Sequence, residues 1–170
     1  MADVSITIEF ELELQTDPLG ATLDIAVPSA PSDAARQALL DSVESTMVGA
    51  RGNLVFQSVQ RVHEAVDGYA TSHNYDLDFF SDTFSGVDYQ RDRTSIHVEW
   101  SWLGNLPMFY EFGVSPHTIE GDPLLHFYWE QIDQWIQTES VDWGSETGGI
   151  PESRAVRDSL NWLRREVGQA

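Results

Sequence analysis

The sequence predicts an α+β fold: an antiparallel sheet packed by one long helix, with a C-terminal helix. Three observations predict it. Residues 4–14 alternate apolar and polar side chains, the period of a strand with one wet face. Residues 40–69 carry apolar side chains at three- and four-residue spacing, the period of a helix face. The same spacing returns at 156–167, behind Pro151. At 170 residues the chain is long enough for a single domain with one core, so 1–170 reads as one domain.

The elements follow in order. Val4, Ile6, Ile8, Phe10, Leu12 and Leu14 alternate with Ser5, Thr7, Glu9, Glu11 and Glu13. Asp17-Pro18-Leu19-Gly20 is a turn. Leu23, Ile25 and Val27 alternate again, which makes 4–27 an N-terminal hairpin. Pro28 and Pro31 close it, and Ser32 or Asp33 can cap a helix by accepting its free N–H groups. Leu40, Val43, Met47, Ala50 and Leu54 share one helical face; Val55, Val59, Val62, Val66 and Tyr69 continue it, shifted by one residue. The slip coincides with Gly49 and Gly52, so residues 32–73 read as one long helix bent near those glycines.

Residues 76–147 read as sheet and loops. Asp76 to Phe84 is one candidate strand. Ile96, Val98, Trp100 and Trp102, alternating with His97, Glu99 and Ser101, are a stronger one, ended by Gly104 and Pro107. Residues 107–112 suit a short helical turn, and 124–129 are apolar enough for a strand. From 131 to 146 the pattern is weak, and Trp135 and Trp143 have no assignment. Pro151 and Glu152 suit a helix opening, and Val156, Leu160, Leu163 and Val167 give the C-terminal helix at 152–167.

Composition narrows the function. There are 28 acids against 9 bases; every base is Arg, and the formal net charge is −19. Such a surface repels itself at low salt, whereas at molar salt the screening length falls to roughly 3 Å. A lysine-free acidic chain therefore suits a salty cytoplasm, as in halophilic archaea. Cys is absent, which excludes disulfides and thiolate metal sites. The N-terminus has no signal-peptide pattern, and no apolar run approaches the ~20 residues of a membrane span, so a soluble protein is expected. The charge also opposes a nucleic-acid footprint, which needs a basic stripe.

The stretch from Met108 to Gly121 gathers groups that could carry chemistry. Gly113-Val114-Ser115-Pro116-His117 looks like a nucleophile elbow, but the residue after the serine must give an N–H to the oxyanion hole. Pro116 has none. His117 and His126 flank Glu120 and Asp122, a mixed donor set of the type transition metals use, yet no helical metal-ligand spacing is present. These residues define the competing expectation, a halophilic cytoplasmic metal-assisted hydrolase using His117, His126 and nearby acids. Of the other histidines, His97 falls on the polar side of a strand, and His63 and His73 fall on a helix. Acids are too numerous for any pair to be singled out as a general acid and base. Gly148-Gly149 lacks the Lys and Ser/Thr of a phosphate loop. Trp100 and Trp102 read as core; Phe109, Tyr110, Phe112, Phe127 and Trp129 read as core or interface anchors.

Tyr110-Glu111-Phe112-Gly113-x-Ser115-Pro116-His117-x-Ile119, followed by Leu125 and Phe127, resembles the signature of the tail-completion, or head–tail joining, proteins of long-tailed phages. That family shows an acid-Phe-Gly-Thr-x-Pro-His-x-Ile block, a strand, a Gly- and Pro-bearing turn and a C-terminal helix. Gly148-Gly149-Ile150-Pro151 and residues 154–167 fit that order, and the resemblance spans roughly residues 32–167. Val114 stands where Thr is usual, Arg154-Ala155 replaces a frequent Pro-Phe, and 130–147 is longer than usual. The resemblance implies a structural virion protein, without catalytic residues, cofactor or metal. It implies a homo-oligomeric ring, a hexamer, in the viral neck, assembled in the host cytoplasm without a membrane. Its neighbours would be a connector protein and the tail-tube protein, and genomic DNA would pass the acidic lumen without specific binding. With the composition, it implies a tailed virus of haloarchaea. Phe109, Tyr110, Glu111, Phe112, Gly113, Ser115, Pro116, His117 and Ile119 are then a structural or interface loop. Gly113 permits the turn, Pro116 stiffens it, Glu111 and His117 pin it with a polar bond within the subunit or across to a neighbour, and the aromatics bury against the sheet or the next subunit.

Overall fold

A computed structural model describes residues 5–50 and 52–169; Val4, the predicted start of the hairpin, lies outside them. The chain runs β1 (Thr7–Thr16), β2 (Leu19–Ser29), α1 (Asp33–Met47), α2 (Leu54–His73), α3 (Phe79–Asp82), β3 (Phe84–Arg91), β4 (Ser95–Trp102), α4 (Leu106–Phe112), β5 (His117–Trp129), β6 (Gln134–Trp143) and α5 (Ala155–Gln169). The fold is α+β. Four antiparallel strands form a sheet in the order β1-β2-β4-β3, and β5 and β6 form a second, separate sheet.

Period-two alternation decides which face of the large sheet is dry. Leu12 lies opposite Leu23, and Leu23 opposite Val98. These three, with Ile25, Trp100 and Trp102, are buried. Each such aliphatic side chain contributes about 1.5–3 kcal/mol on leaving water. Val55, Val59, Val62, Val66 and Tyr69 of α2 bury from the other side, as do Val156, Leu160 and Leu163 of α5. The two helices touch through small side chains: the Ser159 hydroxyl donates to the Ser58 carbonyl at 2.6 Å, and the two hydroxyls lie 2.8 Å apart. Ser159 has spent its proton on that carbonyl, so Ser58 is the donor between the hydroxyls. At one end of the core the Trp102 indole N–H donates to His63 Nε2 at 3.0 Å, so this nitrogen carries no proton. Burial pushes the His63 pKa down, which keeps the ring neutral.

The structure differs from the sequence expectation in three places. The helix expected over 32–73 is two helices, α1 and α2. Asn53 adopts a left-handed conformation, with φ 45° and ψ 52°, which a continuous helix does not allow; its side chain accepts from the Phe56 N–H and starts α2 afresh. The one-residue slip in the apolar pattern marks this break. Residues 76–84 are not a strand: Leu77 is buried in the segment that leads into the short α3, Phe80 is buried within it, and β3 starts only at Phe84. The expected single sheet is two sheets. Gln134–Trp143 forms β6, which the pattern left unassigned because neither of its faces is buried and alternation has nothing to record.

The face of the large sheet away from the helices is acidic. Glu9, Glu11 and Glu13 of β1 share it with Asp24, Asp88 and Glu99, and Glu11 lies opposite Asp24 while Asp88 lies opposite Glu99. Like charges facing across strands destabilise a sheet. The neighbouring Glu13, by a hydrogen bond and by its charge, pushes the Glu11 carboxyl above its usual value. His97 relieves part of this repulsion. Its Nδ1 bonds Asp24 at 2.6 Å and its Nε2 lies 3.8 Å from Glu99. The bond to Asp24 raises the His97 pKa above its ordinary 6.5. Stability linked to this protonation is complete below pH 6.5 and is lost as pH rises through the raised folded value. Two outcomes are expected. The melting temperature rises between about 0.1 M and about 2 M KCl. In denaturant titrations at low salt, His97→Gln costs more near pH 6 than near pH 9; an equal cost at both would contradict the role given to His97.

Candidate functional site

Helix α5 begins with an unmet demand. Its N-cap is Arg154, whose carbonyl accepts from the Asp158 N–H and whose φ is 58°. Arginine has no acceptor in its side chain, so it cannot satisfy the free N–H groups of the first turn. Glu111, forty-odd residues earlier at the end of α4, does so instead. Its Oε2 accepts from the Val156 N–H at 2.8 Å, and its Oε1 accepts from the Arg157 N–H at 3.0 Å. These are the second and third amides of the helix, the pair a side-chain cap ordinarily serves. The Arg157 guanidinium donates to the same Oε1 at 2.9 Å and to the Glu111 carbonyl at 2.7 Å. Glu111 is 1% exposed, and its negative charge also favours the positive end of the α5 dipole. Arg157 reaches on to Glu152 at 2.9 Å and holds that carboxyl below its usual range.

The rest of the loop is shaped around this cap. Gly113 has φ 73°, and a Cβ on it would lie 2.7 Å from the Ile150 carbonyl. A Cβ on Gly149 would lie 2.1 Å from the Val114 carbonyl. The two backbones approach that closely because Val114 and Ile150 exchange N–H···O bonds at 2.8 and 2.9 Å. The Ser153 N–H donates to the Tyr110 carbonyl at 2.8 Å. The Tyr69 hydroxyl of α2 donates to the Pro151 carbonyl at 2.6 Å. Burial, with Tyr75 and Tyr110 nearby, pushes that hydroxyl up to about 12, so it stays a donor.

The expected loop residues separate into two groups. Tyr110 packs among Tyr69, Tyr75 and Phe79, with ring centroids 6.0–6.3 Å away. Glu111, Gly113 and the backbone of Val114 make the junction with α5. Phe112 lies under the Arg157 guanidinium at 4.8 Å, half exposed, and Phe109 is also exposed. Ser115, Pro116, His117 and Ile119 lead out of the body. The expected bond between Glu111 and His117 is absent from the chain: Glu111 is committed to α5, and the His117 ring bonds the Ser115 carbonyl at 2.9 Å and lies 5.3 Å from the Trp143 ring. Arg157 and Tyr69 are the site residues the sequence did not single out. A signal existed for Arg157, because a cation in the first turn of a helix opposes the dipole unless a carboxylate offsets it.

Beyond Pro116, β5 and β6 project as an arm. No residue from 112 to 148 is buried, and neither strand packs substantially on another element. Leu124, Tyr128, Trp129, Ile132 and Trp135 are all exposed, Trp135 at 66%. One face groups His126, Tyr128 and Trp135; the other carries Phe127, Trp129 and Ile136. Glu120 pairs with Ser140 and Leu125 with Thr138, so residues 121–124 bulge out of the ladder opposite Glu139 alone. His117 and His126 pair with Trp143 and Gln137, six residues apart on β6, which separates them by roughly 20 Å. That is too far for one metal ion to take both, and among the described residues no three His, Asp or Glu side chains gather as a metal site.

Removing the cap should destabilise the domain as a whole. Glu111→Ala leaves two N–H groups without an acceptor and takes one charge-assisted bond from the Arg157 guanidinium, and is expected to cost about 3 kcal/mol. Gly113→Ala adds backbone strain of about 1–3 kcal/mol to a clash with Ile150. Urea titrations followed by circular dichroism at molar KCl check both; losses under about 0.5 kcal/mol would show that the junction is dispensable.

No family model, no curated protein and no solved structure matches the chain.

Proposed function

We propose that the chain is a structural virion protein of the neck of a tailed virus of haloarchaea. In this reading it is not an enzyme but a tail-completion or head–tail joining subunit, forming a homo-oligomeric ring between the portal or connector and the tail tube. The observation that carries the proposal is the arm. An isolated two-stranded hairpin is marginal in water, and this one exposes aromatic side chains on both faces. Such an element suits a subunit that finishes its structure in an assembly. The signature block supports the same reading. Glu111 and Gly113, its acid and its glycine, are spent on joining the arm's base to α5. The acidic open face of the large sheet is suited to passing DNA without binding it, since phosphates meet like charge there.

Light scattering and electron microscopy at different salt concentrations test the proposal. In about 2 M KCl a closed ring is expected, with a mass about six times the 19.1 kDa of one chain. In about 0.1 M KCl the −19 charge per chain should shift it toward monomer. A chain that stays monomeric at every salt concentration contradicts the ring, and a ring whose lumen is lined by arginine contradicts the role given to its charge.

A further inference from the structure

The body carries an apolar groove that its own helices leave open. Ile8 and Phe10 extend the dry face of β1 beyond the reach of α1 and α5, and Ile8 is 50% exposed. With Leu39, Val43, Thr46, Met47 and Val167 they line an opening of about 450 Å³. β1 is also an edge strand of its sheet. Arg164 lies at the groove, and neither it nor the adjacent Arg165 pairs with a carboxylate among the described residues. Arg164 donates instead to the Asn161 side-chain oxygen and the Leu12 carbonyl. In a chain with three acids for every base, a cation at an apolar groove without a carboxylate, followed in α5 by a second exposed one, suits an anionic partner.

The arm has the complementary chemistry. Its residues 117–143 include Glu120, Asp122, Glu130, Asp133, Glu139 and Asp142 and no arginine. Its tip places the exposed Ile132 between Glu130 and Asp133, flanked by Trp129 and Trp135. Ten residues of β6 span roughly 34 Å, comparable to the width of about 40 Å of a domain this size, so the tip can reach past its own body.

We infer that the arm of one copy docks in the β1–α1–α5 groove of a second copy, its apolar tip against Ile8 and Phe10 and its acids against Arg164 and Arg165. The contact is heterologous, because arm and groove are different surfaces, and repetition of one such contact closes a ring when the rotation permits. The occupant rests on the ring reading; the choice of arm and groove rests on the surfaces themselves.

The absence of native cysteine makes the test clean. Ile132→Cys protein is mixed with Ile8→Cys or Thr46→Cys protein in molar KCl and treated with a short bis-maleimide, so that a mixed cross-link can form only between copies. The expected result is a mixed dimer in preference to either self-pair. Ile132→Asp should weaken self-association roughly tenfold or more, as loss of an interface anchor does, with an unchanged circular dichroism spectrum. An oligomer that forms with no mixed cross-link, or with Ile132–Ile132 pairs, and that ignores Ile132→Asp overturns the docking while leaving the ring. A chain that never self-associates overturns both.

Discussion

Glu111 places a carboxylate, 1% exposed, against the first turn of α5, where two backbone amides and one guanidinium donate to it. Much of the structure depends on that arrangement. Helix α5 buries Val156, Leu160 and Leu163 against α2 and the sheet, yet its own N-cap is an arginine in a left-handed conformation. Without an outside acceptor its first turn would keep unsatisfied donors at a buried helix end, which costs more than an exposed end would. The acceptor comes from α4, so the helix that closes the core and the segment that launches the arm are fixed by one group. The charge of Arg157 makes the burial of Glu111 tolerable, and Glu152 in turn shares Arg157.

The division of the molecule follows from this. On one side of the junction lies a packed body, in which Tyr69, Ser58 and Ser159 satisfy their polar groups within the core. On the other lies an arm that no buried residue supports. Gly113 and Gly149 let the backbones cross at a distance no side chain permits, which sets the arm's exit. A protein that invests its best-satisfied polar network in holding the base of an unsupported hairpin is built to present that hairpin. The proposed neck ring and the proposed docking of arm into groove both give the presented surface an occupant, and the acidic composition makes molar salt the condition under which copies can approach.

Much of this was legible in the residues. The strands β2 and β4 and the helices α2 and α5 each bury one face, so hydrophobic period reports them directly; β1 keeps the same period although only Leu12 of its apolar face is buried. The break at Asn53 left its trace as a one-residue slip, but the pattern could not say whether the helix bends or ends, since that depends on a single left-handed residue. Strand β6 left no trace because solvent surrounds it. The importance of Glu111 and Gly113 was visible in the signature block, whereas the partner of Glu111 was not. His117 is close in sequence and a plausible donor; Arg157 is 46 residues away and reaches Glu111 only because α5 packs back over α4.

On the proposed reading the Glu111 junction belongs to the cooperative core, and the arm would join it only in the proposed assembly. Hydrogen exchange resolved by NMR at molar KCl reads both parts in one experiment. In the isolated subunit the amides of Val156, Arg157, Val114 and Ile150 should exchange only through global unfolding, while the ladder amides of β5 and β6 exchange through local opening and slow sharply in the oligomer. Fast exchange at Val156 and Arg157, or arm amides as protected in the monomer as those of β4, would contradict it.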